Sequence, residues 1–477
     1  MVIDLNLLLP EIFTGLLGVG LLVLFFLWRG EGVVRAIGYL AAVGLAVAAV
    51  LAYGTVALDT STLQGTWLAD PLAGYFKVVF LLSGVMVALL SLSYLERLGE
   101  SLAEFFILLV FLTLSMMVVI SAGDLITLYL ALEFQVITFA IMIGYRRREG
   151  AATEAALKYI LLNAFSSAIL LFGLSLLFGL SGTVDISGIA AAVSAGSPQP
   201  ALYLAVIFVL AGLAFKVSLV PFHMWTPDVY QGAPTPITGF LAAGSKAAGF
   251  ALLIRLFLTI FAPVSTVWTT VFVVLSVLTI ILGNFVAVPQ TNMKRLLAYA
   301  SVGSAGYMIM GLIAADVTGV EGVLFYAFMN VLAILGAFGV AVVFANATGR
   351  DDIEAYAGLS KRSPLLALVM LLSTLSIAGI PGLAGFVAKF VIFWAIIDKG
   401  LVALALLGVV MSIVAVFYFL RIAKVMYVFE PKEETPIRVA PAARIVLVAS
   451  MVLTLVLGIY PAPLLDLARE VALAVLR

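Results

Sequence analysis

Long apolar runs separated by short polar segments dominate the chain. A helix needs about 20 apolar residues to cross the roughly 30 Å hydrocarbon core of a bilayer. Runs that meet this length can be placed at 7–28, 33–58, 70–94, 105–121, 124–144, 155–179, 201–230, 237–262, 266–288, 294–315, 319–346, 364–398, 401–428 and 441–460. The pattern predicts an all-α polytopic membrane protein with about fourteen transmembrane helices.

Two of these runs are interrupted by proline. The run at 201–230 contains Pro221 and Pro227, and the run at 364–398 contains the pair Pro381-Gly382. Both are longer than a straight crossing requires, and proline inside a helix removes a backbone donor and clashes with the preceding turn. Both runs are therefore predicted to be broken helices.

The two interrupted runs lie about 160 residues apart, as expected of two halves related by inversion. We predict N-terminal transmembrane helices at 1–104, a first half at 105–262, a second half at 263–430, and a C-terminal transmembrane helix with a short tail at 431–477. The two halves share little direct sequence similarity. The prediction of a repeat therefore rests on the two proline-interrupted runs.

Composition agrees with a membrane protein and excludes several kinds of site. Hydrophobic residues make up 64% of the 477 positions and charged residues 10%, against about 25% charged in soluble domains. There is no cysteine and one histidine, His223, so iron–sulfur clusters, zinc sites and disulfides lack their usual ligands. No phosphate-binding Gly-rich motif is present. We expect no cofactor in this chain, so energy must come from an ion gradient or a partner.

Five lone charges interrupt otherwise apolar runs. They are Glu133, Lys158, Lys216, Lys246 and Lys389. A lysine at the centre of a membrane helix costs about 2.5–3.5 kcal/mol to insert, so four would cost on the order of 10 kcal/mol. Charges at such positions usually face protein or water and mark an ion or proton path.

Some of these charges have a structural alternative. Lys158 follows Glu154 by four residues near a basic end of its run, so an interfacial ion pair is as good an interpretation as transport. Glu133 could be a structural partner for a distant lysine. His223 lies just after the break at Pro221 and is favoured as a hydrogen-bonding residue over a ligand.

The bias of lysine and arginine predicts the orientation of the helices. One set of loops contains Arg29, Arg35, Arg97, Arg146, Arg147, Arg148, Lys294, Arg295, Arg350, Lys361, Arg362, Arg421, Lys424, Lys432, Arg438 and Arg444. The opposite set contains only Lys399, Arg469 and Arg477, and both termini lie on that side. We predict that the basic side faces the cytoplasm. Lys77 and Arg255 lie within spans near the basic-poor ends and are expected to extend to the interface.

Several segments resemble a known family. They are FKVSLVPFHMWTPDVYQGAPTPITGFLAAGSKAAGFALLIR from Phe215, ALEF around Glu133, EAALKYILLNAF around Lys158, TNMKRLLAYASVGSAGYMIMG, and LSIAGIPGLAGFVAKF. Over roughly residues 70–430 the chain resembles the antiporter-like membrane subunits of proton-pumping NADH–quinone oxidoreductase, respiratory complex I. Within that family it is most similar to subunit N. Subunit M generally has glutamate at the position of Lys389, and subunit L has a long lateral helix that is absent here.

The resemblance implies a lateral and transverse proton path. Glu133 would pair with Lys216, Lys246 would be the central lysine and Lys389 the terminal one. Ser304 stands where the family frequently has histidine, so a serine with ordered water would take the place of an imidazole that can hold a proton.

The resemblance also implies partners and a compartment. Flavin, iron–sulfur clusters and quinone would be bound by partner subunits, and the chain would contact other membrane subunits of complex I, including sister antiporter-like subunits, and the lipid bilayer, but no nucleic acid. We expect a multi-pass protein of a prokaryotic plasma membrane with periplasmic termini. The alternatives are a subunit of a multisubunit Mrp-type sodium/proton antiporter and a helical bundle retained as scaffold.

Overall fold

Helices form nearly all of the computed structural model. It describes residues 4–28, 32–98, 103–196, 199–431 and 433–477. Arg29, Lys432 and the side chain of Arg97, which the charge bias assigns to the basic side, lie outside the described residues.

The helices follow one another with short connections. In chain order they are α1 (Leu9–Leu27), α2 (Val33–Tyr53), α3 (Pro71–Leu98), α4 (Glu104–Ser121), α5 (Leu125–Ile143), α6 (Gly150–Ser181), α7 (Ile186–Ala195), α8 (Pro200–Lys216), α9 (Trp225–Gly232), α10 (Thr235–Phe240), α11 (Lys246–Thr259), α12 (Ser265–Ala287), α13 (Met293–Ala314), α14 (Val317–Thr348), α15 (Leu359–Arg362), α16 (Pro364–Ala378), α17 (Ala384–Asp398), α18 (Val402–Tyr427), α19 (Pro441–Ile459) and α20 (Ala462–Val475). A small antiparallel hairpin of β1 (Thr60–Thr62) and β2 (Trp67–Ala69) connects α2 to α3.

Within the described residues, twelve helical segments are long and apolar enough to cross a membrane. The all-α polytopic membrane fold predicted from the hydrophobic pattern is confirmed. The count of fourteen crossings and the inverted relation of two halves stay predictions.

The two proline-interrupted runs are broken as predicted. The first forms α8 and α9, separated by residues 217–224, and the second forms α16 and α17, separated by residues 379–383. Pro221 and Pro381 lie in the breaks. Pro227 instead lies in the first turn of α9, where proline is tolerated because that N–H has no partner within the helix.

Side chains and neighbouring helices satisfy the backbone of the first break. The indole of Trp225 donates to the carbonyl oxygen of Phe215 at 3.0 Å, near the end of α8. The amide of Val220 donates to Thr279 Oγ1 on α12, also at 3.0 Å. A break at membrane depth is stable only when protein or water satisfies the backbone groups it frees, and here α12 does so.

The loops that contact one another belong to the same set, basic-rich or basic-poor, that the distribution of lysine and arginine assigns to them. Among the basic-rich loops, Asn292 forms a β-bridge with Asp352, and Lys361 pairs with Glu430 at 2.6 Å. In the basic-poor set, Asp124 forms a β-bridge with Asp185. These contacts agree with the assignment of the loops to two sides, and the orientation of the bundle in the membrane stays a prediction.

The interpretation of Lys77 and Arg255 as residues extending to the interface is wrong. Lys77 is fully buried and pairs with Glu11 of α1 at 2.7 Å. Arg255 is also buried and pairs with Asp70 at the start of α3. Each cation pairs with a carboxylate that is distant in the sequence. The charges adjacent to Lys77 and Arg255 in the chain therefore could not predict these pairs.

The sequence assigns the segment after Tyr460 to a short tail. It forms α20, whose apolar side packs against α14 and α3. The tail is thus an ordered part of the helical core.

Candidate functional site: a buried row of lysines

The central helices are buried on all sides. The most apolar stretch of α13 is entirely buried, and the corresponding stretches of the α10–α11 span and of α14 are 94% buried. Charges on these helices therefore face protein rather than lipid, as expected for a path through the bundle.

The first part of the site joins α5, α6 and α8. Lys216 is the last residue of α8, and its Nζ donates to Oδ1 of Asn163 on α6 at 3.0 Å. Glu133 of α5 attracts Lys216 electrostatically, but the lysine donates its hydrogen bond to Asn163. Oε1 of Glu133 is buried without a hydrogen-bond partner among the described residues. Asn163, which the sequence analysis did not single out, holds Lys216 instead.

Lys216 lies next to the helix that carries Lys246. A Cβ on Gly249 of α11 would collide with the side chain of Val217 and would lie 3.7 Å from Cβ of Lys216. Glycine at this position therefore lets the end of α8 approach α11 one turn after Lys246. The backbone of Lys216 therefore lies against the helix that begins with Lys246.

Lys246 follows an irregular turn in its helix. Residues Leu241–Ser245 form a π-helical turn between α10 and α11, a feature frequent at functional sites. Lys246 is 2% exposed. Its Nζ donates to the carbonyl oxygen of Ser301 on α13, and it also donates to Ser301 Oγ, which lies at 2.5 Å. The ammonium group is thus held by neutral oxygens. The sequence pattern did not predict the π-helical turn.

Lys389 reaches back to the break in its own span. Its Nζ donates to the carbonyl oxygen of Ala378, the last residue of α16, at 2.8 Å, and to Ser412 Oγ on α18 at 3.1 Å. The C-terminal end of a helix carries partial negative charge, so a cation is favourable there. The ring of Tyr307 adds a cation–π contact at 4.0 Å.

Gly379 makes this arrangement possible. It has φ of 92°, a left-handed conformation that ends α16, and a Cβ there would lie 2.9 Å from Cδ of Lys389. The glycine in the sequence IAGIPG is therefore required both by the backbone and by the lysine packed over it.

Lys158 lies apart from the buried row. It is 40% exposed and pairs with Glu154 at 2.8 Å and with Asp228 of α9 at 2.9 Å. Asp228 also accepts from Arg295 at 2.7 Å. This geometry is that of the interfacial ion pair weighed as the alternative. Asp228 was missed because its partners lie about 70 residues away on either side.

The two auxiliary candidates take different positions. His223 lies in the turn between α8 and α9, and its Nδ1 has no hydrogen-bond partner among the described residues. Ser304 is buried on α13 and donates to the carbonyl oxygen of Ala300 at 3.1 Å. Along α13, Ser304 lies between Ser301, which contacts Lys246, and Tyr307, which contacts Lys389. His223 lies seven residues after Lys216 in the chain.

Comparison with known proteins gives a consistent result. The family described as NADH:quinone oxidoreductase/Mrp antiporter, transmembrane, matches residues 122–415. The chain is 47% identical over 98% of its length to NADH-quinone oxidoreductase subunit N of Moorella thermoacetica, with 98% of that protein covered. It is 48% identical, with the same coverage of both chains, to subunit N of Heliobacterium modesticaldum.

Solved structures share the fold. A chain of respiratory complex I from Thermus thermophilus with bound aureothin matches with a TM-score of 0.83 and 31% identity, covering 96% of this chain and 99% of that one. A chain of the Mrp complex from Dietzia sp. DQ12-45-1b matches with a TM-score of 0.86 and 23% identity, covering 98% and 100%. At that identity the second match concerns the fold alone.

Proposed function

Because the chain belongs to the subunit N family of NADH-quinone oxidoreductases, we propose that it moves protons through Glu133, Lys216, Lys246 and Lys389. As a membrane subunit of that enzyme, it would depend on partner subunits for the redox chemistry. Quinone reduction in partner subunits would change the conformation or charge around the buried residues. The protonation of each lysine would respond, since charges interact strongly in a medium of low dielectric.

One observation carries this proposal: the lysines of the row, of which Lys246 and Lys389 are buried and Lys216 is partly buried, are held by neutral groups. Lys246 and Lys389 donate to backbone carbonyls and serine hydroxyls, and Lys216 donates to an amide oxygen. The same protein holds its other buried cations differently, because Lys77 and Arg255 are paired with carboxylates. A cation paired with a carboxylate is stabilised in its charged form, whereas a buried lysine with neutral partners can lose its proton.

We infer that the separation between Glu133 and Lys216 controls the proton affinity of this lysine. Glu133 approaching Lys216 would favour the charged lysine, and withdrawal of Glu133 would favour release of the proton towards Lys246. Lys389, at the far end of the row, would complete the path. Lys158 would act at the interface, where it joins α6 to α9, with His223 and Ser304 as auxiliary residues.

The alternative of a sodium/proton antiporter subunit is less well supported. The Mrp chain is 23% identical to this one, and the likeness concerns the fold. The relatives at 47% and 48% identity carry the name of subunit N. A scaffold without transport would not explain two buried lysines, Lys246 and Lys389, that have no carboxylate partner among the described residues.

The partners we infer provide the first test. Affinity purification of the chain from its native membrane in mild detergent should recover flavin and iron–sulfur subunits together with other membrane subunits, because the redox groups are expected in partners. Bound flavin and non-haem iron are then measured in the purified assembly. Recovery of an assembly that contains sister antiporter-like subunits but no flavin or iron would favour the Mrp alternative.

We also propose that the basic-rich loops face the cytoplasm and both termini the periplasm, in a prokaryotic plasma membrane. Since the chain has no natural cysteine, single cysteines report directly on topology. Arg147→Cys, at an exposed position of a basic loop, should react with a membrane-impermeant thiol reagent only in inverted vesicles. Ser61→Cys, exposed on the hairpin between α2 and α3, is the matched control and should react in intact cells after outer barriers are opened. Labelling of position 147 from the outer face would refute the orientation.

A further inference from the structure

A cleft of about 610 Å³ opens at the basic-rich end of the bundle, where α16 and α19 begin. The start of α16, residues 437–439 and the start of α19 form its walls. Two arginines, Arg438 and Arg444, lie among apolar side chains that include Leu365 and Val439. Among the residues that the structure describes, no aspartate or glutamate belongs to the lining. The cleft therefore suits a ligand that combines negative charge with an apolar part.

Neither arginine has a carboxylate partner within the described ranges, and both are exposed. The neighbouring cations do have such partners, since Lys361 pairs with Glu430 at 2.6 Å and Arg362 pairs with Glu433 at 3.3 Å. A guanidinium stays charged and forms paired hydrogen bonds with the oxygens of a phosphate. The two arginines of the cleft are therefore available to an anion of this kind.

Hydrogen bonds fix the segment that carries Arg438. The amide of Ile437 donates to the carbonyl oxygen of Arg362 at 3.1 Å. Nε of Arg362 donates to the carbonyl oxygen of Thr435, also at 3.1 Å. Arg444 lies on α19 itself. Both backbones are held in place, so an anion that binds the arginines does not have to order a loop first.

Ser363 supplies a buried donor at the same place. It precedes α16 and is 6% exposed, and its hydroxyl forms neither a capping hydrogen bond nor any other with the part of the chain that is described. A buried hydroxyl without a partner is unfavourable, and a phosphate oxygen would accept a hydrogen bond from it. The first N–H groups of a helix also lack partners within the helix and attract anions, and both α16 and α19 begin at the cleft.

An apolar surface continues from the arginines along the bundle. Ile445, Val448, Val452 and Val456 of α19 are exposed and are spaced by three or four residues, so they follow one side of the helix. Leu368 is exposed on α16, which packs against α19. This surface accommodates the acyl chains of a lipid whose headgroup lies in the cleft.

We propose that the cleft binds an anionic phospholipid, with Arg438, Arg444 and Ser363 donating to its phosphate and its acyl chains lying along α16 and α19. The two arginines favour a headgroup of net negative charge, such as phosphatidylglycerol, over a zwitterionic headgroup, whose own cation they repel. The binding does not involve the lysine row, so the inference is independent of the proposed proton path.

Photoreactive lipids test the site in the assembled complex. The purified complex is reconstituted into phosphatidylcholine vesicles that contain a small, equal fraction of either phosphatidylglycerol or phosphatidylcholine with a diazirine in one acyl chain. Cross-links to residues 364–368 and 441–456 are then measured by peptide mass spectrometry. We expect phosphatidylglycerol to label these residues at least about tenfold more than phosphatidylcholine, since each basic residue near the membrane surface strengthens binding of an anionic lipid about fivefold.

Arg438→Gln combined with Arg444→Gln should bring labelling by the two lipids to parity, because it removes both charges and leaves the apolar surface. The matched control is Arg147→Gln combined with Arg148→Gln, which removes two exposed arginines from another basic-rich loop. This control should keep the preference of the wild type. An equal loss of preference in both double variants would assign the effect to net charge and would overturn the site.

The remaining outcomes separate a lipid from other occupants. Equal labelling by the two lipids in the wild type would overturn the site, because lipids that merely surround the helices have no headgroup preference. Absence of labelling by either lipid would show that a partner subunit covers the cleft, and it would also overturn the proposal. Inorganic phosphate, compared with chloride at equal ionic strength, should leave the preference unchanged. If phosphate abolishes the preference, the cleft is a site for a free anion and the lipid proposal is wrong.

Discussion

Lys246→Arg is expected to leave the complex assembled and to reduce proton uptake by inverted vesicles by about 100-fold or more. Arginine keeps the positive charge and can still donate to Ser301, but its guanidinium, with a pKa above about 12, stays charged even when buried. A proton carrier must lose its proton in each turnover. A fixed counter-charge would tolerate the change.

The added bulk of arginine needs its own control. Lys77 is equally buried, but its ammonium is paired with Glu11 at 2.7 Å, as expected of a structural charge. Lys77→Arg should therefore assemble and pump at a rate close to wild type. Near wild-type pumping by Lys246→Arg would reduce Lys246 to a structural role.

Glu133→Gln is expected to depress proton uptake and quinone reduction together while the complex still assembles. The amide has nearly the size of the carboxyl group but carries no charge, so it removes the Coulombic interaction with Lys216. Without that interaction the charged state of Lys216 is no longer favoured in one phase of the cycle. We expect at least about a tenfold loss, the lower end of what a proton-transfer group contributes. Lys216→Ala should give a comparable loss.

Glu154→Gln is the matched control for the carboxylate. Glu154 is 65% exposed and pairs with Lys158 at the interface, outside the buried row. Its substitution should leave proton uptake within about twofold of wild type, since exposed ion pairs are individually weak. Uptake at the wild-type rate in assembled Glu133→Gln would rule out the proposed role of this carboxylate.

Short stretches of sequence were enough to predict the helices, the two helix breaks and the lone charges, because each of these depends on neighbouring residues or on the lipid alone. Apolar runs marked the helices, and Pro221 and Pro381 marked the two breaks, because proline acts on its own backbone. Lone charges marked Lys216, Lys246 and Lys389, because hydrocarbon penalises each of them individually.

Features that depend on tertiary contacts could not be predicted in the same way. Nothing in the sequence around Glu11 or Asp70 distinguishes these acids from others in the chain. They become partners of Lys77 and Arg255 only when α1, α3 and α11 pack together. Asn163 likewise gains its role from the end of α8.

The central claim is that protons driven by quinone reduction pass through the lysine row of this chain. One measurement tests it most directly: proton uptake and NADH-driven quinone reduction recorded together in inverted vesicles carrying Lys389→Arg, normalised by NADH oxidation with a hydrophilic acceptor. Proton uptake and quinone reduction should both fall at least about tenfold, while the hydrophilic acceptor is reduced at the wild-type rate. Proton uptake and quinone reduction at wild-type rates in that variant would contradict it.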